Sequence, residues 1–188
     1  MKKKYFLTSL LFFTSISFFA QVEDNASLLK IILSKYYKNE KVIAKGRLQL
    51  LSFYCKKAPN NEEVLELIKK NSIVKQNAAE VKKQIDHTID EDWSKEFDVV
   101  FNNQNQYLKS KINNCLPLEE FQKISTRNGE NNQSLLIVSK PIYFDSNKYA
   151  LVKIAFYRNI EHNSGSYILF QKIDGLWVIK EYLNEWST

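Results

Sequence analysis

Apolar residues between Asn25 and Arg127 recur every three or four positions, as in Leu29, Ile32, Leu33 and Tyr36. This i, i+3, i+4, i+7 spacing lines one face of an α-helix, so residues 21–127 are expected to be mainly helical. Val42–Tyr54 reads as a second helix, with Gly46 weakening its start. Pro59 and Asn60 break the pattern, and Asn60 with Glu63 three residues on resembles a capping box ahead of Val64, Leu67 and Ile68. Val74, Ala78, Val81 and Ile85 predict a further helix, and Trp93, Phe97 and Val100 another. After the amide-rich stretch Asn102–Gln106, Leu108, Ile112 and Cys115 predict one more. Pro117 suits the first turn of a short last helix carrying Leu118 and Phe121.

The pattern changes across the polar run Arg127–Asn132, beyond which β-branched and aromatic residues alternate with polar ones. In Tyr149–Tyr157, Val152, Ile154 and Phe156 fall on one face and Leu151, Lys153 and Ala155 on the other. That arrangement suits a strand covered mainly on one side. A partner is expected over Tyr167–Ile173, and Asp174-Gly175 supplies a two-residue hairpin turn into Leu176–Ile179. A preceding strand, Leu135–Phe144, would join through Asp145–Lys148. The expected fold class is α+β: one domain over 21–188, its helical half packed on an antiparallel meander of about four strands in 134–188.

The N-terminus carries a different message. Lys2, Lys3 and Lys4 precede an apolar run from Tyr5 to Phe19, and Ala20 precedes a charged segment. This is the layout of a secretory signal peptide cut near residue 20, which places the mature chain in the periplasm or outside the cell. A membrane anchor is the competing reading, but Thr8, Ser9, Thr14, Ser15 and Ser17 interrupt the run, and about 20 apolar residues are needed to span a bilayer. No membrane span is expected once the signal is removed. Cleavage takes away three lysines and no acid, leaving 24 Lys+Arg against 21 Asp+Glu, so the net charge falls from +6 to +3. The remaining charges are interspersed, which argues against a nucleic-acid or membrane-surface partner. The doublets Lys56-Lys57, Lys69-Lys70 and Lys82-Lys83 read as solvated helix faces.

With 44% hydrophobic and 13% aromatic residues, four Gly and three Pro, the chain has the composition of an ordered globular protein. Cys55 and Cys115 are the only cysteines. In an oxidising compartment such a pair is a disulfide candidate, the competing reading being two small buried apolar side chains. Two cysteines and two distant histidines do not make a zinc site. No cofactor or metal motif stands out.

Chemistry-bearing side chains crowd together in the loop Asn159–Ser166, where Glu161, His162, Asn163, Ser164 and Ser166 are the candidate binding residues. A hydrolytic reading makes Ser164 or Ser166 the nucleophile and His162 its base. Neighbours in one loop seldom reach that geometry, which favours a polar hairpin connection. His87, among Asp86, Asp90, Glu91 and Asp92, reads as part of a solvated helix N-terminus. Tyr143, Tyr149, Tyr157, Tyr167, Trp177, Tyr182 and Trp186 place aromatics in the β half, either as sheet core or as a protein-binding surface.

Leu50–Cys55, Ser139–Phe144, Ala150–Ile154, Ser164-Gly165-Ser166, Leu169-Phe170 and Gly175-Leu176-Trp177 together resemble small exported proteins of flavobacteria and their relatives. The resemblance implies export and transfers no catalytic residue. The leading expectation is a non-enzymatic exported module that binds another protein, as an inhibitor or immunity-type partner does. The alternatives are an exported hydrolase centred on His162 and a structural envelope component.

Overall fold

The structure is a computed structural model that describes residues 21–44, 49–86, 88–102, 105–112, 115–127, 133–159 and 161–188. The expected signal peptide and His87 lie outside the described residues. Helix α1 occupies residues 21–36. It is followed by β1 (Leu51–Tyr54), α2 (Glu63–Lys70), α3 (Ser72–Gln76), α4 (Ala78–Lys82), α5 (Ser94–Val100), α6 (Gln106–Lys111), β2 (Cys115–Leu116) and α7 (Leu118–Arg127). The C-terminal part is all strand: β3 (Ser134–Val138), β4 (Ile142–Phe144), β5 (Tyr149–Tyr157), β6 (Asn163–Ile173) and β7 (Leu176–Ser187). The α+β class holds, but the sheet has seven strands and is mixed, in the order β2-β1-β3-β5-β6-β7 with β4 also on β5. β1 runs parallel to β2 and β3, and the remaining pairs are antiparallel.

Among the described residues of the expected helix over Val42–Tyr54 none is helical: residues 41–44 have no regular structure, and Leu51–Tyr54 form β1. Leu51, Ser52 and Phe53 are all buried because β1 lies inside the sheet. A strand covered on both faces has no period-2 signature to separate it from a helix segment. The helix expected over Val74–Ile85 is split into α3 and α4. Amide side chains cause the break: Asn71 Oδ1 accepts from Ile73 N and Val74 N, and Asn77 Nδ2 donates back to Ile73 O. Such bonds offer the backbone an alternative to a continuous helix. Asn60 does not cap α2; its side chain donates to Lys140 O at 2.8 Å. The helix expected to reach Cys115 stops at Lys111, and Cys115 opens β2. The single strand expected over Leu135–Phe144 is divided at Ser139–Pro141 into β3 and β4, which pair with opposite ends of β5.

Both faces of the sheet are covered. One core joins Leu29, Ile32 and Leu33 of α1 with Trp93, Val100, Leu108, Val152, Ile154, Ile168 and Phe170. A second joins Val64, Leu67, Val74 and Val81 with Ile142, Leu151, Tyr167 and Leu169. The expectation of one covered face fails because Leu151 and Leu169 make the second face apolar as well. Lys111 secures the turn that follows α1, its Nζ donating to Tyr37 O and Lys38 O.

The turns follow the sequence closely. Asp174 (φ 50°) and Gly175 (φ 80°) join β6 to β7, and Asp145, Ser146 and Asn147, all at positive φ, join β4 to β5. Gly165 is required for space: a Cβ there would lie 2.5 Å from Ile154 O and 2.8 Å from the Trp186 ring. The backbone oxygen cannot yield, so Gly165→Ala should destabilise the chain by about 2 kcal/mol, within the range for overpacking. A thermal melt unchanged by this substitution would show that the β5–β6–β7 spacing is looser than described.

Candidate functional site

The loop singled out by sequence proves to be a closed hairpin connection. Asn159 Oδ1 accepts from the backbone N of Glu161 and of His162, and lies 3.1 Å from His162 Nδ1. Thr188 closes it from the C-terminus, its Oγ1 donating to Glu161 O. Asn163, Ser164 and Ser166 are not in the loop at all; they open β6, opposite Tyr157, Phe156 and Ile154. His162 is exposed, whereas Ser166 is buried. A cleft of about 480 Å³ lies beside this connection, lined by residues including Phe121, Ser125, Tyr157, Asn159 and Glu161.

A more distinctive group of side chains comes together elsewhere. Residues 55–57 run beside 91–93, with Trp93 N donating to Cys55 O and Lys57 N to Glu91 O. This pairing turns Lys56 outward and Lys57 inward, so Lys57 is only 6% exposed, contrary to its reading as part of a solvated doublet. Lys69, Lys70, Lys82 and Lys83 are exposed on or at the end of their helices, as expected. Lys57 Nζ donates to Glu96 Oε1 at 2.8 Å and to Glu91 Oε2 at 3.2 Å. Lys140 Nζ binds the other oxygen of Glu91. From α1, Asn25 Nδ2 donates to Glu96 Oε1 at 3.0 Å, and Tyr143 OH of β4 donates to Asn25 Oδ1 at 2.7 Å.

The result is a chain of alternating charge, Glu96, Lys57, Glu91, Lys140, at the base and wall of a cleft of about 490 Å³. Gln21, Val22, Asn25, Asp90, Asp92 and Lys95 complete its lining. Glu96 is 1% exposed, yet its Oε2 has no hydrogen-bond partner among the described residues. That oxygen is sealed from the cleft as well as from water, so it is a buried acceptor that the fold itself leaves unsatisfied. Among the described residues no group of three or more His, Cys, Asp and Glu could hold a metal ion.

Three titrating groups around this cleft, Glu91, Asp92 and Tyr143, move away from neutrality. Burial alone would raise the Glu91 carboxyl, but hydrogen bonds from Lys140 and Lys57 outweigh it and hold the group below its usual range. Asp92 is held low by the backbone N–H and side chain of Ser94. Burial pushes the Tyr143 phenol up, and the charges of Asp24 and Glu96 add to this. Tyr36, Tyr37 and Tyr167 are raised for the same first reason. A phenol whose folded pKa is raised contributes stability that is present below its unfolded pKa of about 10 and lost as pH rises above it. The fold should therefore weaken steeply above pH ~10, and phenolate absorbance from these tyrosines should appear together with unfolding. Their smooth titration in a folded chain would refute the burial described.

Sequence reasoning passed over Asn25, Lys57, Glu96 and Tyr143 as a group, although two carried a signal. Trp93, Glu96, Phe97 and Val100 stand at i, i+3, i+4, i+7, so a carboxylate occupies a core position of the stripe. Asn25 holds the first position of a stripe with the same spacing, ahead of Leu28, Leu29 and Ile32. Among the described residues, no helix is long and apolar enough to cross a membrane. The chain matches no protein-family model, no curated protein and no solved structure.

Proposed function

We propose that this chain is an exported, non-catalytic binding protein that holds a protein partner through the Glu96 cleft. The observation that carries the reading is a cleft of about 490 Å³ walled by a fixed chain of ion pairs, Glu96–Lys57–Glu91–Lys140. Side chains already held by one another in the free protein lose little freedom when a partner arrives, which is what preorganised recognition requires. General acid–base chemistry needs a group poised near the working pH. Glu91, Asp92 and Tyr143 are instead shifted away from it. Export to the periplasm or beyond rests on the Lys2–Ala20 signal layout and on the flavobacterial resemblance, and the Cys55–Cys115 disulfide is compatible with it.

The test compares wild type with Glu96→Gln, each expressed with residues 1–20 and recovered after export, as bait against envelope and secreted fractions of the source cell. The expected result is a stoichiometric protein partner retained by wild type and lost by Glu96→Gln, with far-UV circular dichroism unchanged. Equal retention by both baits, or no partner on a folded wild-type bait, would refute the reading.

A further inference from the structure

We infer that export makes Gln21 the N-terminal residue of the mature chain, and that Gln21 then closes on itself to a pyroglutamate. This rests on the export part of the proposed function and not on the cleft. Ala20 is the small residue that ends the apolar run, and Gln21 follows it. A signal cut at that small residue leaves glutamine in front. The fold limits the cut from the other side. Helix α1 begins at residue 21, and its first turn is already committed: Asp24 Oδ1 accepts from Lys172 Nζ at 2.7 Å and from Trp177 Nε1 at 2.8 Å. Asn25 joins Glu96 to Tyr143. A cut after the next alanine, Ala26, would remove both residues and with them these ties of α1 to β4, β6 and β7. A cut after Ser17, the nearest small residue upstream, would leave the apolar pair Phe18-Phe19 at the front of the chain.

An N-terminal glutamine carries nucleophile and electrophile in one residue. The α-amine nitrogen attacks its own side-chain Cδ, the Cδ–Nε2 bond breaks, and a proton passes from the amine to the departing nitrogen, which leaves as ammonia. A lactam ring remains, and no oxidant, reductant or water is consumed. Reacting atoms tied together in one residue need no encounter. An α-amino group titrates near pH ~8, so part of the population holds the free amine at neutral pH. Two features of α1 leave the step unobstructed. Gln21 is exposed, so its side chain can turn back on the backbone nitrogen without leaving the core. That nitrogen belongs to the first turn, whose N–H groups have no acceptor within the helix, so closure breaks no helix bond. The product also removes a positive charge from the positive end of the helix dipole. Gln21 lines the cleft of about 490 Å³, so closure sets what the rim presents, a neutral ring in place of an ammonium. An aminopeptidase, which needs a free α-amine, finds none.

The test expresses the full chain, residues 1–188, in its source cell. The protein is recovered from envelope and secreted fractions and its intact mass is measured at once and after incubation at neutral pH. The expected mass, reached by the end of the incubation, is that of residues 21–188 with the Cys55–Cys115 bond, less one ammonia. Sequential N-terminal degradation should then yield nothing until a pyroglutamyl peptidase removes the ring. Gln21→Ala should be cut at the same place and lose no ammonia. Loss that persists in this variant would place it at another amide and overturn the inference. An open Gln21 amine that survives the incubation would overturn it too. A chain cut at another residue overturns it while leaving export in place, and a chain that keeps residues 1–20 overturns it together with the export reading. None of these outcomes depends on the Glu96 cleft, whose own test is partner retention.

Discussion

Lys57→Ala should destabilise the chain by about 3–5 kcal/mol, the cost of leaving a buried charge without its partner. Lys57 is 6% exposed and Glu96 1% exposed, and Nζ binds both Glu96 and Glu91. Without it, Glu96 keeps a single neutral donor, Asn25 Nδ2, for a full negative charge. Denaturant unfolding at neutral pH measures the loss, and a midpoint equal to wild type would contradict the burial of the pair. The more informative variant is Lys57→Met with Glu96→Leu, which replaces both charges by apolar groups of similar size. Such replacements are commonly neutral or stabilising. The double variant is expected to recover most of the loss and to retain no protein partner. Recovery of stability without recovery of binding would separate what the pair does for the fold from what it does for the cleft.

The same pair shows why the fold was more legible than the site. Local rules acted where neighbours in sequence are neighbours in space: Asp174-Gly175 made its turn, Asp145–Lys148 made another, and the α1 stripe Leu29, Ile32, Leu33 went into the core. They failed at β1, whose register depends on β3 and β2 from far along the chain. The cleft is an extreme case, since Tyr143 reaches Asn25 across 118 positions and Lys57 reaches Glu96 across 39. No spacing rule spans such distances. A lysine doublet looks the same in sequence whether both side chains meet water or one turns inward, and here a strand-like segment against residues 91–93 turned Lys57 in. What the sequence did hold was a polar residue on each of two apolar stripes, Asn25 and Glu96, and the structure joins these two at 3.0 Å. The loop Glu161–Ser166 misled for the opposite reason: its residues are close in sequence, but strand β6 separates the serines from the connection that carries His162.

Reducing the Cys55–Cys115 disulfide should cost about 4 kcal/mol, because the bond closes a loop of 60 residues in the unfolded chain. Its Cα atoms are 4.9 Å apart, a separation that places the bond within ordinary disulfide geometry. The loop includes α2 through α6, so it restrains much of the helical half when unfolded. The bond also lies beside the cleft: Cys55 N donates to Leu116 O and Cys55 O accepts from Trp93 N, two residues before Lys57 and three before Glu96. Cys55→Ala with Cys115→Ala should therefore lower the denaturant midpoint and steepen the transition, as a freer unfolded chain exposes more surface. If reductant leaves the midpoint of wild type unchanged, the bond does not form in the folded chain. If the midpoint falls while the reduced, still folded chain retains its partner, the β1 segment and the 91–93 segment hold each other without it. In that case the backbone pairing of Lys57 with Glu91, and not the covalent bond, sets the position of the inward lysine.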